Sequence, residues 1–195
     1  MTLQFWFEFA STYSYPAALR IEKLCQENSI QLEWKPFLLG PIFQSQGWKD
    51  SPFNLYPAKG KYMWRDLERL CAQEGFAFQK PSQFPRNGLV AARIACVGMG
   101  EIWLTEFVRK VYEANFAKDQ DIASLSVLEK ILQDLKVDAA QILQSASSEA
   151  NKKKLRLQTE EAGRLGIFGA PSFISKGELF WGNDRLEDAI AWAKK

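Results

Sequence analysis

Ser11 stands where a strand-like aromatic run gives way to a helix, and that position makes it the residue best placed to do chemistry. Leu3 to Pro16 reads LQFWFEFASTYSYP. Phe5, Trp6, Phe7 and Phe9 form an apolar run of strand length. Ala10, Ser11, Thr12, Tyr13 and Ser14 break it with small and hydroxylated residues. Pro16 suits the first turn of a helix, where its missing N–H costs nothing. A strand–turn–helix junction delivers one side chain and several unpaired backbone N–H groups to a single spot, a combination that favours an anion. Taken alone, Ser11 reads better as an ordinary helix-cap serine, with Ser14 as a second local cap.

The rest of the composition narrows the chemistry. Histidine is absent from the 195 residues, which removes His-based triads, His metal sites and imidazole acid–base catalysis. Cys25, Cys71 and Cys96 are far apart, no CxxC exists, and each lies among apolar neighbours in a helix-like segment, so they read as small buried hydrophobes. No metal site is expected. The net charge of +2 is too small to imply nucleic acid or a membrane surface as partner. Apolar residues at 47% and charged residues at 25% describe an ordinary globular chain with no membrane-length apolar run, and a cytoplasmic protein is expected.

The elements that must position Ser11 follow from the patterning. A helix is predicted over 16–28, with Ala18, Ile21 and Cys25 on one face. Ile30, Leu32 and Trp34 alternate with polar residues, which predicts a strand over 30–36 and a right-handed parallel βαβ unit. Residues 37–60 are rich in Gly and Pro without a period, the mark of a binding loop or short helices. From 61 to 166 the pattern is helical: 62–75, a helix capped by Asn87, 101–116, two short helices opened by Ser126 and Asp138, and one opened by Ser147 or Ser148. Strands at 170–174 and 178–181 then form a hairpin about Lys176–Gly177, and a helix over 185–194 closes the chain. Asp184 and Glu187 spell a D-x-x-E capping box. The order is one α/β layer structure, βαβ plus ββα, split by a large all-helical insertion, with 1–37 and 167–195 expected as one domain and 38–166 as the insertion.

A βαβ half and a ββα half, with a proline opening the third strand, resembles the thioredoxin fold, and the helical insert resembles its DsbA-like branch. The reactive position of that fold falls on Ser11 and the facing cis-proline on Pro171. Ser11-Thr12-Tyr13-Ser14 replaces CxxC, so disulfide exchange is chemically unavailable there. Serine at this position resembles the 2-hydroxychromene-2-carboxylate isomerases and kappa-class glutathione transferases. The matching pieces span nearly the whole chain: FWFEFASTYSY, Asn54 with PAKGKYM, Arg65-Asp66-Leu67 with Arg69, FPRN, GIFGAPSF and ELFWGNDRLE. The isomerases usually read Ser-Pro at the turn and leucine near the helix start, where this chain has Thr12 and Pro16.

The resemblance implies glutathione as cofactor, with the Ser11 hydroxyl donating to its thiolate and the Ala170 backbone, beside a cis Pro171, pairing with its cysteinyl part. It implies that Gly182, Asn183, Asp184 and Arg185 hold the γ-glutamyl end, with Asp184 facing the ammonium group, and that Asn54 lies on the thiol side. Phe53, Asn54, Lys59, Lys61 and Pro85 are the implied substrate residues, one lysine facing a carboxylate; Asp66 and Arg69 are read as structural. The implied reaction interconverts 2-hydroxychromene-2-carboxylate and trans-o-hydroxybenzylidenepyruvate in the degradation of naphthalene-type aromatics, in a homodimer acting on a small aromatic carboxylate. A kappa-like transferase that conjugates electrophiles, and a non-catalytic thioredoxin-fold module that binds glutathione or peptides, are the alternatives.

Overall fold

β1 (Thr2–Phe7), α1 (Ser14–Glu27) and β2 (Gln31–Pro36) form the expected parallel βαβ unit in a computed structural model that describes residues 1–195. β1 pairs with β2 in register from Thr2↔Gln31 to Phe7↔Pro36. Eight helices follow: α2 (Leu39–Ser45), α3 (Pro52–Leu55), α4 (Pro57–Glu74), α5 (Leu89–Val97), α6 (Leu104–Phe116), α7 (Leu125–Asp134), α8 (Ala139–Ser147) and α9 (Glu149–Arg164). The chain returns as the hairpin β3 (Ser172–Ser175) and β4 (Glu178–Trp181), a 3₁₀ turn over Asn183–Arg185, and α10 (Leu186–Lys194). The sheet runs β2-β1-β3-β4, with β3 antiparallel to both β1 and β4. This is the DsbA-like thioredoxin architecture that the sequence predicts.

β1 carries aromatic residues at consecutive positions because both of its faces are covered. Side chains alternate across a strand, so Leu3, Phe5 and Phe7 enter the main core while Trp6 enters a smaller one with Phe37, Ile42, Ala162, Ile167 and Ile174. Phe5 packs against Phe7, Trp34 and Phe173 with ring centroids 5.3, 5.3 and 5.4 Å apart. Tyr112 and Phe107, from α6, pack against Phe9 at the exit of β1. The insertion is thus built into the same core as the sheet, directly beside the Ser11 turn.

Several boundaries differ from the sequence reading for local reasons. α4 begins at Pro57, five residues before the predicted start, because Pro57 occupies its first turn and Gly60 lies against the Phe53 carbonyl, where a Cβ would collide. α6 begins at Leu104, since Glu101–Trp103 form a turn of their own. α7 begins at Leu125, after an extended Ser124, and Ser126 lies inside it. Asp138 does cap α8, its carboxylate accepting from the Gln141 N–H at 3.0 Å, and Ser148 caps α9. Asp138→Ala should cost about 1 kcal/mol, the usual worth of such a cap, measured by denaturant unfolding.

Candidate functional site

Ser11 lies half-buried between β1 and α1, and it does not cap the helix: no side chain caps α1. Its hydroxyl instead crosses to the other half of the fold and donates to the Ala170 carbonyl at 2.9 Å. The Ala170–Pro171 bond is cis and immediately precedes β3. The Gly182 N–H donates to the Pro171 carbonyl at 3.0 Å. Gly182 sits at φ +112°, a conformation that side-chain-bearing residues rarely adopt. From α1, Arg20 donates to the Asn183 side-chain oxygen at 3.2 Å. These bonds bring Ser11, Ala170, Pro171 and the Gly182–Asp184 turn together. The N–H groups of Thr12, Tyr13 and Ser14 find no protein acceptor, as expected at a helix start. The Ser14 hydroxyl, fully buried, has no partner either.

The turn is held from beneath by groups with no local sequence signal. The Glu8 carbonyl accepts from the Ser11 N–H at 3.0 Å and from the Tyr112 hydroxyl at 2.9 Å. A carboxylate oxygen of Glu8 accepts from the Ala10 N–H at 2.9 Å. Asn115 donates to the Phe9 carbonyl at 3.1 Å and accepts from Arg86 at 3.1 Å. Arg86, itself buried, reaches on to Asp119. Two residues of α6 therefore fix the path of the chain into Ser11.

Glu8 is 9% exposed. Burial pushes its carboxyl up to about 7, against an opposing pull from the Ala10 N–H. Its proton is thus held more tightly in the fold than in an unfolded chain, where the ordinary value of 4.5 applies. The stabilisation is complete below the unfolded value and is lost as pH rises through the folded one. Wild type should therefore lose stability between these limits, by at most about 3 kcal/mol. Glu8→Gln should flatten this pH dependence in urea titrations.

A wall rises on the α3–α4 side. The Tyr13 hydroxyl donates to Asp66 at 2.9 Å, and the Tyr13 ring lies 6.2 Å from that of Phe53. Burial and the Asp66 carboxylate push the Tyr13 hydroxyl above its ordinary range, so it stays protonated. Asp66 also pairs with Arg69 at 3.6 Å, and Thr12 donates to the Met63 sulfur at 3.0 Å. Next to this wall, a cavity of about 600 Å³ is lined by Asp50, Phe53, Asn54, Lys61, Trp64 and Lys80, among others. Trp64 meets Phe84 edge-on at 4.9 Å, which carries the wall towards the exposed, cis-bonded Pro85.

The other residues singled out in the sequence distribute unevenly. Lys61 lines the cavity, whereas Lys59 lies over the Tyr56 ring at 5.1 Å and does not. Trp64, an aromatic that the sequence offers as core or as an apolar wall for an aromatic substrate, lines the cavity together with Lys80, which no motif marks and which sits 5.3 Å from the Trp64 ring. Asn54 gives its amide to both Asp50 carboxylate oxygens at 3.2 Å and makes no bond to the Ser11 turn. Asn183 is buried, its side-chain oxygen taken by Arg20. The D-x-x-E capping box does not form: Glu187 pairs with Arg20 at 2.7 Å, and the exposed Asp184 pairs with Arg185 at 3.0 Å. Arg185 also reaches Asp188 at 2.8 Å.

Chemically, Ser11 is a donor and has no base to make it a nucleophile. Its own proton points at a carbonyl, and no carboxylate or amine is bonded to it. The cysteines do not supply a thiolate, since all are buried and free and burial pushes each thiol up to about 11. The free N–H groups at the start of α1, the Ser11 hydroxyl and the Ala170 backbone form a place for an external anion flanked by an extended strand.

Comparison with known proteins agrees with this architecture. The family described as DSBA-like thioredoxin domain matches residues 2–190. The chain is 27% identical to a 2-hydroxychromene-2-carboxylate isomerase of Sphingobium xenophagum over 95% of this chain and 94% of that protein. It is 28% identical to glutathione S-transferase kappa 1 of Rattus norvegicus over 95% of this chain and 87% of the relative. A solved structure of 2-hydroxychromene-2-carboxylate isomerase superposes with a TM-score of 0.90 at 23% identity, covering 100% of this chain and 95% of that one.

Proposed function

We propose, since the chain belongs to the DSBA-like thioredoxin domain family, that it is a glutathione-dependent enzyme of the 2-hydroxychromene-2-carboxylate isomerase type. The observation that carries the reading is the Ser11 hydroxyl, 2.9 Å from the Ala170 carbonyl and beside the unpaired N–H groups of α1. A disulfide-exchanging site needs a thiol in that place; a site that only stabilises a visiting thiolate needs a donor.

The residues present fit glutathione. Ser11 and the α1 N–H groups would hold the sulfur as an anion. The backbone of Ala170 would receive the cysteinyl part, and Asp184, whose carboxylate is exposed, would face the γ-glutamyl ammonium. Backbone N–H groups of the 182–185 turn would take the γ-glutamyl carboxylate. When bound, glutathione supplies a thiolate nucleophile that adds reversibly to a conjugated carbon of the substrate and is released unchanged. To serve it, the Ser11 hydroxyl must rotate from the Ala170 carbonyl to the sulfur. A charge-assisted bond is roughly twice as strong as a neutral one, so the rotation is favourable. Phe53 and Trp64 would hold an aromatic ring, and Lys61 with Lys80 would hold its carboxylate. A homodimer, a place in aromatic degradation and a cytoplasmic location belong to the same reading.

The 28% identity to a kappa transferase keeps conjugation as a second reading. Incubation of 2-hydroxychromene-2-carboxylate with the protein, with and without glutathione, separates the two. Isomerisation that requires glutathione but leaves its concentration constant supports the isomerase; stoichiometric loss of free thiol supports the transferase. Neither reaction, with glutathione still bound, would leave a non-catalytic module.

A further inference from the structure

Glu8 is a buried acid that the chemistry above does not use, and it is tied to the Ser11 turn in two ways. Its carbonyl accepts from the Ser11 N–H at 3.0 Å and its carboxylate from the Ala10 N–H at 2.9 Å. Its second carboxylate oxygen lies against Gly88, where a Cβ would stand 3.0 Å away. We propose that Glu8 is the positioning residue of the Ser11 turn and exchanges its proton with a thiol bound there, so that the turn carries one negative charge at a time. The inference rests on the thiol-binding reading of Ser11.

No cation relieves the Glu8 charge. From the Pro85–Gly88 segment, Arg86 directs its guanidinium at Asn115, Ser82 and Asp119. From α6, Tyr112 presents a hydroxyl that burial keeps neutral, and Asn115 is uncharged. From α1 come Ser14, also uncharged, and Tyr15, which burial likewise keeps protonated. Within the turn, Tyr13 is protonated on Asp66. A buried carboxylate with no counter-ion, in a turn that must also hold a thiolate, meets a like charge, and each group then raises the pKa of the other. The proton balance is simple. The S–H bond of the incoming thiol breaks and its proton leaves to solvent; a proton from solvent forms an O–H bond on Glu8.

Calorimetric titration of glutathione in buffers of different ionisation enthalpy counts the protons. The free Glu8 carboxyl titrates at about 7. Below that pH it is already protonated, and wild type should release close to one proton per glutathione bound as thiolate. Above it, Glu8 takes a proton up and the net release should fall steeply. Glu8→Gln keeps an acceptor for the Ala10 N–H but cannot titrate. Its release should stay near one proton until pH approaches the thiol's own pKa of about 8.5. Proton counts that track each other in the two proteins, with thiolate absorbance in both, would overturn the proton exchange and leave the proposed function standing. Absence of thiolate absorbance in wild type would overturn the proposed function itself. A steep fall in wild type alone, measured without any variant, is the same prediction in a protein whose folding is not in question.

Discussion

Ser11→Ala should lower glutathione-dependent turnover about 100-fold, the worth of one hydrogen bond to a charged group. The fold should survive it. Ser11 is half-buried, and the bond lost in the free protein is a single neutral one to the Ala170 carbonyl, worth about 1 kcal/mol. The Glu8 and Asn115 bonds beneath the turn use backbone groups and persist in the variant. A donor role therefore predicts a large kinetic effect with a small change in unfolding midpoint. A cap role predicts the reverse, a modest stability loss with turnover intact.

Asn115→Leu should be the most damaging single change near the site, at about 3 kcal/mol, because it strands the buried Phe9 carbonyl and removes one bond from the buried Arg86 guanidinium, which keeps the Asn115 backbone carbonyl and Asp119. Asn115 is 1% exposed. Its amide nitrogen serves the Phe9 carbonyl and its oxygen serves the Arg86 guanidinium. Leucine keeps the branching and the heavy-atom count but offers neither a donor nor an acceptor. For a chain of this size the loss corresponds to a fall of roughly 10 °C in Tm. Phe9 precedes Ala10 and Ser11 directly, so any protein that still folds should also show weakened glutathione binding. Denaturant unfolding together with a binding titration reads both effects.

The sheet and its order were legible because they rest on local pattern. Ile30, Leu32 and Trp34 alternate, Lys176–Gly177 marks a hairpin, and Asp138 precedes a helix whose N–H it does accept. The candidate site was legible only in its backbone frame. Ser11, Ala170, Pro171 and Gly182 are placed by the strand–turn–helix junction and the third strand, and these the sequence displays. Glu8 was not, since a lone acid carries no periodic signal; it lies just past β1 and is buried by α6 and by Gly88, far along the chain. The D-x-x-E at Asp184 misled for the same reason: Arg20, on α1, captures Glu187 and the Asn183 amide. Lys80 and Trp64 share a cavity because a loop folds over α4, which no local spacing records.

The proposed chemistry turns on whether Ser11 stabilises a thiolate. An ultraviolet difference titration of the wild-type protein with glutathione near neutral pH measures that directly. A free thiol with pKa about 8.5 is largely protonated there, so thiolate absorbance growing to saturation with bound glutathione, and lost in Ser11→Ala, is the predicted result. Saturable binding without thiolate absorbance, or absorbance unchanged in Ser11→Ala, would contradict it.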